Sequence, residues 1–200
     1  MVGGIRMNET HTQPQHTQTH NAQPPAHSHV PAHNPMRNVR IVKVTLNMGV
    51  GQTGEELKKA ELILQKISNH KTIQTVCKVK QPEWGIREGV TIGVKTTMRG
   101  TRARDFLKQA LQAKGNELNS KNFDKLGNFG FGIKEYIDLP GAKYDPKLGI
   151  RGFDVLVTIE KPGYRVKKRK LHRTAVGKRQ LATKEEAIEF VKKEFGIQVK

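Results

Sequence analysis

Apolar and polar residues alternate in most of the segments that can form strands. In residues 39–48, VRIVKVTLNM, Val42, Val44, Leu46 and Met48 fall on one side and Lys43, Thr45 and Asn47 on the other. A period of two with a single apolar row predicts a strand with one buried and one wet face. Residues 90–99 repeat the pattern, with Val90, Ile92, Val94 and Met98 opposite Thr91, Lys95, Thr97 and Arg99. Residues 150–160 set Phe153, Val155, Val157 and Ile159 on one side. Residues 72–80, TIQTVCKVK, form a further strand candidate. In 129–137, FGFGIKEYI, aromatic or aliphatic residues alternate with Gly130, Gly132 and Lys134. Gln81-Pro-Glu-Trp-Gly85 is punctuated as a turn or loop.

Helical spacing fills the intervals. Thr53-Gly-Glu-Glu56 fits a capping box, in which hydroxyl and carboxylate each take the other's backbone N–H. The helix it predicts runs to about Ser68, with Leu57, Leu64 and Ile67 among its buried positions. A second helix starts near Thr101. Ala103, Phe106, Leu107, Ala110 and Leu111 follow the helical period, and Gly115 suits the position just past its end. Thr183-Lys-Glu-Glu186 is another capping box, for a helix carrying Ile188, Val191 and Phe195 and stopped by Gly196. About five alternating strands with three or four helices predict an α+β fold. Its architecture is a two-layer domain: a mostly antiparallel sheet with helices on one face and an open second face. That open face is expected to carry Lys, Thr, Asn and Arg rather than acids, and no internal repeat is visible.

Composition separates off one end of the chain. Residues 1–35 hold five of the nine prolines, six of the eight histidines, one base (Arg6) and one acid (Glu9). Such a stretch has too little apolar surface to offset its ordering entropy, so 1–35 is expected to be a disordered His/Pro/Gln/Thr-rich tail and 36–200 a single folded domain. Arg6 and Glu9 cancel, so the whole net charge of +18 belongs to the domain. An imbalance of 36 Lys and Arg against 18 Asp and Glu fits a polyanionic partner, most commonly nucleic acid. The charge peaks in residues 161–179, with nine basic residues and no acid; Arg165, Lys167, Lys168, Arg169, Lys170, Arg173, Lys178 and Arg179 are its candidate phosphate contacts. The bland alternative is a solvated loop. No apolar run is long enough to cross a bilayer, and the first residues lack the apolar core of a secretory signal, so a cytoplasmic protein without a membrane partner is expected. A lone cysteine, Cys77, rules out an internal disulfide and is expected to be buried in its strand.

Gly49-Val-Gly-Gln-Thr-Gly54 matches G-x-G-x-x-G between a strand and a helix, which raises the rival reading of a small NADP-binding Rossmann-type enzyme. Three features oppose it. The preceding strand has a polar face, whereas the first Rossmann strand is buried on both sides. Cys77, Lys78 and Lys80 stand where an acid should hold the ribose. Fewer than 165 residues remain for the rest of such an enzyme. The same glycines would let backbone N–H groups approach an RNA phosphate.

The motifs carry a resemblance. Asn34-Pro-Met-Arg37, Asn47-Met-Gly-Val-Gly51, Gly85-Ile-Arg-Glu-Gly89, Ile92-Gly-Val-Lys95, Arg99-Gly100, Gly130-Phe-Gly-Ile-Lys-Glu135 and Arg151-Gly-Phe-Asp154 come in order over residues 34–200. Together they resemble the large-subunit ribosomal protein family that bacteria number five and eukaryotes number eleven, in its archaeal form. The resemblance implies a non-enzymatic protein of the central protuberance. Its implied partners are 5S rRNA, large-subunit rRNA, the P-site tRNA and, through an intersubunit bridge, a small-subunit protein. It implies 5S rRNA contacts at Asn47, Met48, Gly49, Val50, Gly51, Thr97 and Arg99, which the polar strand faces extend to Lys43, Thr45 and Lys95. The loop holding Lys80, Gln81, Trp84 and Arg87 is similar to the one that reaches tRNA. Cations neutralise phosphates and release counterions, while Thr45, Asn47 and Thr97 hydrogen-bond sugars or exposed base edges.

Other candidates have structural readings beside functional ones. His11, His16, His20, His27, His29 and His33 can bind zinc or nickel, but their spacing is irregular, so no metal site and no cofactor is expected. The pairs Glu55/Glu56 and Glu185/Glu186 lie in first helical turns, where capping explains them without glycosidase chemistry. Trp84 either stacks on a base or packs on the sheet rim, and His172 either pairs with phosphate or faces solvent. Phe129 and Phe131 are either a base-stacking pair or core. A nonspecific basic duplex binder is the remaining alternative.

Overall fold

A computed structural model describes residues 34–200. The expected disorder of the tail and the metal reading of its histidines fall on residues outside that range. At the start of the described residues, Asn34 Oδ1 accepts from Met36 N and caps a short turn at Pro35–Arg37.

Five strands build the main sheet: β1 (Arg40–Gly49), β2 (Thr72–Val76), β3 (Thr91–Met98), β5 (Phe129–Ile133) and β6 (Phe153–Glu160), with β4 (Glu117–Leu118) intervening in the chain. Their order is β2-β3-β1-β6-β5, and every neighbouring pair is antiparallel. The α+β expectation therefore holds. The central strand β1 has antiparallel partners on both sides, whereas a Rossmann sheet needs parallel ones. The helices α1 (Glu55–Ser68), α2 (Gly100–Ala113) and α4 (Lys184–Phe195) supply Leu57, Ile63, Leu64, Phe106, Leu107, Leu111, Ala187 and Val191 to one core. The sheet answers with Val44, Leu46, Met48, Val94, Met98, Phe129, Phe131, Val155 and Val157, all on one face. Phe129 stacks between Phe123 and Phe131 at 4.9 and 6.4 Å, so these aromatics are core. One-turn helix α3 (Arg165–Lys168) lies in the basic run, and β7 (Gln198–Val199) pairs in parallel with β4.

Several local expectations are corrected. A β-bulge between Ile41 and Lys43 shifts the period, so Ile41 rather than Val42 packs on the core. Strand β2 stops at Val76 and turns its other face to the helices. Glu61 of α1 accepts from Thr72 Oγ1 and Gln74 Nε2, both at 3.0 Å, which turns that polar row toward α1, with Thr72 buried and Gln74 at the exposed edge. Ile73 is exposed in consequence; Cys77 and Val79 lie past the strand end, the first half-buried rather than core and the second exposed. The first capping box does not form. Gly54, at φ 100°, takes the N-cap position of α1, and Glu56 turns instead to Arg151 and Lys59. The second forms in full at Thr183 and Glu186, and Gly196 (φ 65°) ends α4.

Candidate nucleic-acid interface

Strand register sets out the open face row by row. One row crosses the sheet as Ile73, Lys95, Asn47, Asp154 and Gly132. A second runs Thr97, Thr45, Leu156, Gly130, and a third Thr75, Gly93, Gly49. Lys43 stands beside Thr158. The fold thus gathers Lys43, Thr45, Asn47, Gly49, Lys95 and Thr97 onto the face that the helices leave uncovered. Arg99 follows β3 as the exposed N-cap residue of α2. Pairs directly opposite in an antiparallel sheet stand ~5 Å apart, so Asn47 with Lys95 and Thr45 with Thr97 can contact one ligand together.

Three site residues take part only through their backbone, or with bonds already made. The Met48 side chain is 1% exposed and belongs to the core. Val50 is half-buried, and the N–H groups of Val50 and Gly51 both donate to the Ile92 carbonyl at 2.9 Å. Those two donors close the end of the β1–β3 ladder and are not free to cradle a phosphate, which also removes the pyrophosphate geometry from the enzyme reading. The expectation of an acid-free face is corrected as well. The period that buries Val155, Val157 and Ile159 puts Asp154 and Glu160 on the other side, together with Leu156 and Thr158. That alternate row was readable from residues 153–160 and is the feature that attention to the apolar row misses.

The β2–β3 connection is a small hairpin arm. Gln81 and Ile86 exchange both backbone hydrogen bonds, at 3.0 and 3.1 Å, around a turn at Pro82–Trp84 closed by Gly85 at φ 66°. The arm presents Lys80, Gln81, Trp84 and Arg87, all exposed. Trp84 is 74% exposed and does not pack on the sheet rim. Among the described residues none of Lys43, Lys80, Arg87, Lys95 or Arg99 has an acid within ion-pair distance.

The basic run is less uniform than its sequence. Lys161, its first residue, is buried and bonds Glu186 at 2.7 Å. Lys168 Nζ bonds both oxygens of Glu160, at 2.9 and 2.6 Å, and lies 5.8 Å from the centre of the Tyr164 ring. Burial, then the Glu160 charge, push the Tyr164 hydroxyl up, so it stays protonated at neutral pH. Arg169 Nε donates to the His172 carbonyl, and His172 itself is exposed at φ 51°. Arg165, Lys167, Lys170, Arg173, Lys178 and Arg179 are exposed without acid partners among the described residues.

Comparison with known proteins finds relatives along most of the chain. Residues 34–87 match the family described as ribosomal protein L5, and residues 91–190 match the model of that ribosomal family's C-terminus. The chain is 46% identical over 168 residues to the large ribosomal subunit protein uL5 of Methanococcus vannielii, covering 82% of this chain and 93% of that protein. It is 44% identical over 166 residues to uL5 of Nitrosopumilus maritimus, covering 83% and 96%. It is 47% identical over 167 residues to uL5 of Nanoarchaeum equitans, covering 83% and 98%. With two successive family regions matched and relatives aligned over nearly their full length, the chain belongs to the L5 family of ribosomal proteins, a structural family of the large subunit and not one of enzymes.

Proposed function

We propose that this protein binds 5S rRNA through its open sheet face and helps to attach that RNA in the central protuberance. In this reading the hairpin arm at Lys80–Arg87 contacts the P-site tRNA, the domain joins a bridge to the small subunit, and the cations of 161–179 touch large-subunit rRNA. Residues 36–200 act as one RNA-binding unit. The coarser role follows from the family: a structural constituent of the large subunit of cytoplasmic ribosomes.

One observation carries the 5S reading. Lys95 and Asn47 on one row, and Thr97 and Thr45 on the next, form a rigid patch of cationic and hydrogen-bonding groups with none of the described helices packed over it. Rigid strands hold such groups without the entropy cost that a loop would add. Asn47→Ala should weaken 5S rRNA binding by about 1–2 kcal/mol, the scale of a lost polar contact. Filter binding or calorimetry at fixed salt reads the difference, and unchanged affinity removes Asn47 from the site. Competition between 5S rRNA and bulk duplex RNA tests the whole reading: equal affinity for both would leave only a nonspecific basic binder.

A further inference from the structure

On a face built to meet a polyanion, Asp154 is out of place. Its carboxylate lies in the central row, between Asn47 and Gly132. It is exposed, and among the described residues it has no hydrogen bond and no ion pair. A carboxylate set against a phosphate is repelled, so a bare acid on this face costs affinity unless its oxygens meet uncharged donors. In RNA the uncharged donors are the amino and imino groups of bases and the ribose 2′-hydroxyls.

The surroundings select among those. Gly132 has no side chain, and a Cβ there would stand 3.4 Å from Asp154 Oδ1, so the carboxylate leans over bare backbone. Gly130, one pair further along β5, is covered instead: Leu156 lies across it, and a Cβ on Gly130 would come within 2.7 Å of Leu156 Cδ2. Leu156 is 47% exposed, an apolar side chain that, like Ile73 at the β2 edge, stands out on a mostly polar face. The exposed backbone of Gly132, the Leu156 flank, the Asp154 carboxylate and the Asn47 amide thus stand together, a set of groups that suits one unpaired base. A carboxylate with both oxygens unused matches two parallel N–H donors. Guanine alone presents that pair, as N1–H and N2–H of its Watson–Crick edge, whereas cytosine and adenine each offer a single amino group.

We infer that Asp154, flanked by Asn47 and Leu156, reads the Watson–Crick edge of an unpaired guanine, which makes it a specificity-determining residue of the RNA interface. The inference rests on the 5S reading and deepens it. Lysines on this face supply affinity for any RNA backbone; the acid rejects a backbone and accepts one base.

The test uses the full chain, purified 5S rRNA and kethoxal, which modifies guanine at N1 and N2. Wild-type protein should protect at least one loop guanine. Asp154→Asn puts an amide donor toward the guanine donors and should weaken binding about tenfold. Asp154→Ala, at saturating protein, should leave the RNA bound while that guanine regains reactivity. The salt dependence of both variants should equal the wild type, because no phosphate contact is lost. Tighter binding by Asp154→Asn, or an unchanged kethoxal pattern in Asp154→Ala, overturns the assignment. A Lys43→Ala/Lys95→Ala variant separates the two levels. If it loses affinity and salt slope while Asp154 variants change nothing, the open face binds RNA and only the guanine reading fails. If it too is indistinguishable from wild type, the RNA reading of the face fails with it.

Discussion

Lys161 is a cation that the fold withdraws from water, and Glu186 is what makes that tolerable. The two meet at 2.7 Å, with the Lys161 side chain only 7% exposed. Burial pushes the Glu186 carboxyl up, but the hydrogen bond from Lys161 and those from Thr183 outweigh it, so its pKa stands below the usual glutamate value. A carboxyl depressed on folding contributes stability above its unfolded pKa, about 4.3, and that contribution is lost as pH falls through the folded value. Wild-type melting temperature should therefore exceed that of Glu186→Gln at pH 7, and the gap should close as the pH is lowered past about 4. Constant separation down to about pH 3 would show that the ionised pair is not what Glu186 supplies. Two glycines make a second residue-scale contrast. A Cβ on Gly152 would meet the carbonyl oxygens of Lys134 and Ile133 at 2.6 and 2.8 Å, both main chain and unable to swing aside. Gly152→Ala should cost about 1–3 kcal/mol in urea unfolding, the usual penalty for overpacking. Gly177 has open space around its Cβ position and φ −58°. Gly177→Ala should be neutral or stabilise by up to about 1 kcal/mol, because alanine narrows the unfolded ensemble.

At the scale of elements, two capping boxes with the same spelling part ways. Thr183 caps α4 and Glu186 reaches back to it. Thr53 is exposed and caps nothing, because Glu56 is drawn to Arg151 just before β6 and the chain enters α1 through Gly54. Thr183→Ala should cost about 1 kcal/mol of unfolding free energy, while Thr53→Ala should stay within about 0.5 kcal/mol of wild type. Equal losses would mean that Thr53 caps in solution. The motif is local, but Arg151 is 95 residues away from Glu56, and no window of sequence reports that pairing. The same boundary separates what was legible elsewhere. Strands β1, β3 and β6 were readable because each buries one row against helices, and the period of two records it. Strand β2 misled because it lies at the sheet edge and offers Thr72 and Gln74, not its apolar row, to α1. The bulge at Val42 left no local mark, since Ile41 and Val42 are interchangeable to any hydrophobic pattern. Of the candidate site, the polar rows of β1 and β3 could be read directly, whereas the neighbours brought by β6 and β5 depend on a strand order that the chain does not spell out.

For the molecule as a whole, charge count and usable charge differ. The domain carries the entire +18, yet each cation contributes to RNA binding only if a phosphate replaces the counterions around it. Lys168 already bonds both oxygens of Glu160, which holds it in a pair of zero net charge. Lys167, its neighbour on the same helical turn, is exposed and has no acid partner among the described residues. Sequence ranks the two lysines as equals, and the structure does not. With log affinity for 5S rRNA plotted against log salt, a lysine that meets a phosphate contributes about 0.7–0.9 to the slope. Lys167→Ala should flatten the slope by about that amount, as should Lys43→Ala and Lys95→Ala on the sheet face. Lys168→Ala should change it by less than half as much, because a lysine already neutralised by Glu160 makes no phosphate contact and releases few counterions on binding. It should instead lower affinity by a similar factor at every salt concentration, since α3 loses its tie to the end of β6. Equal slope changes for Lys167→Ala and Lys168→Ala would mean that RNA takes Lys168 away from Glu160 on binding, and that the run acts as a loose cationic strand.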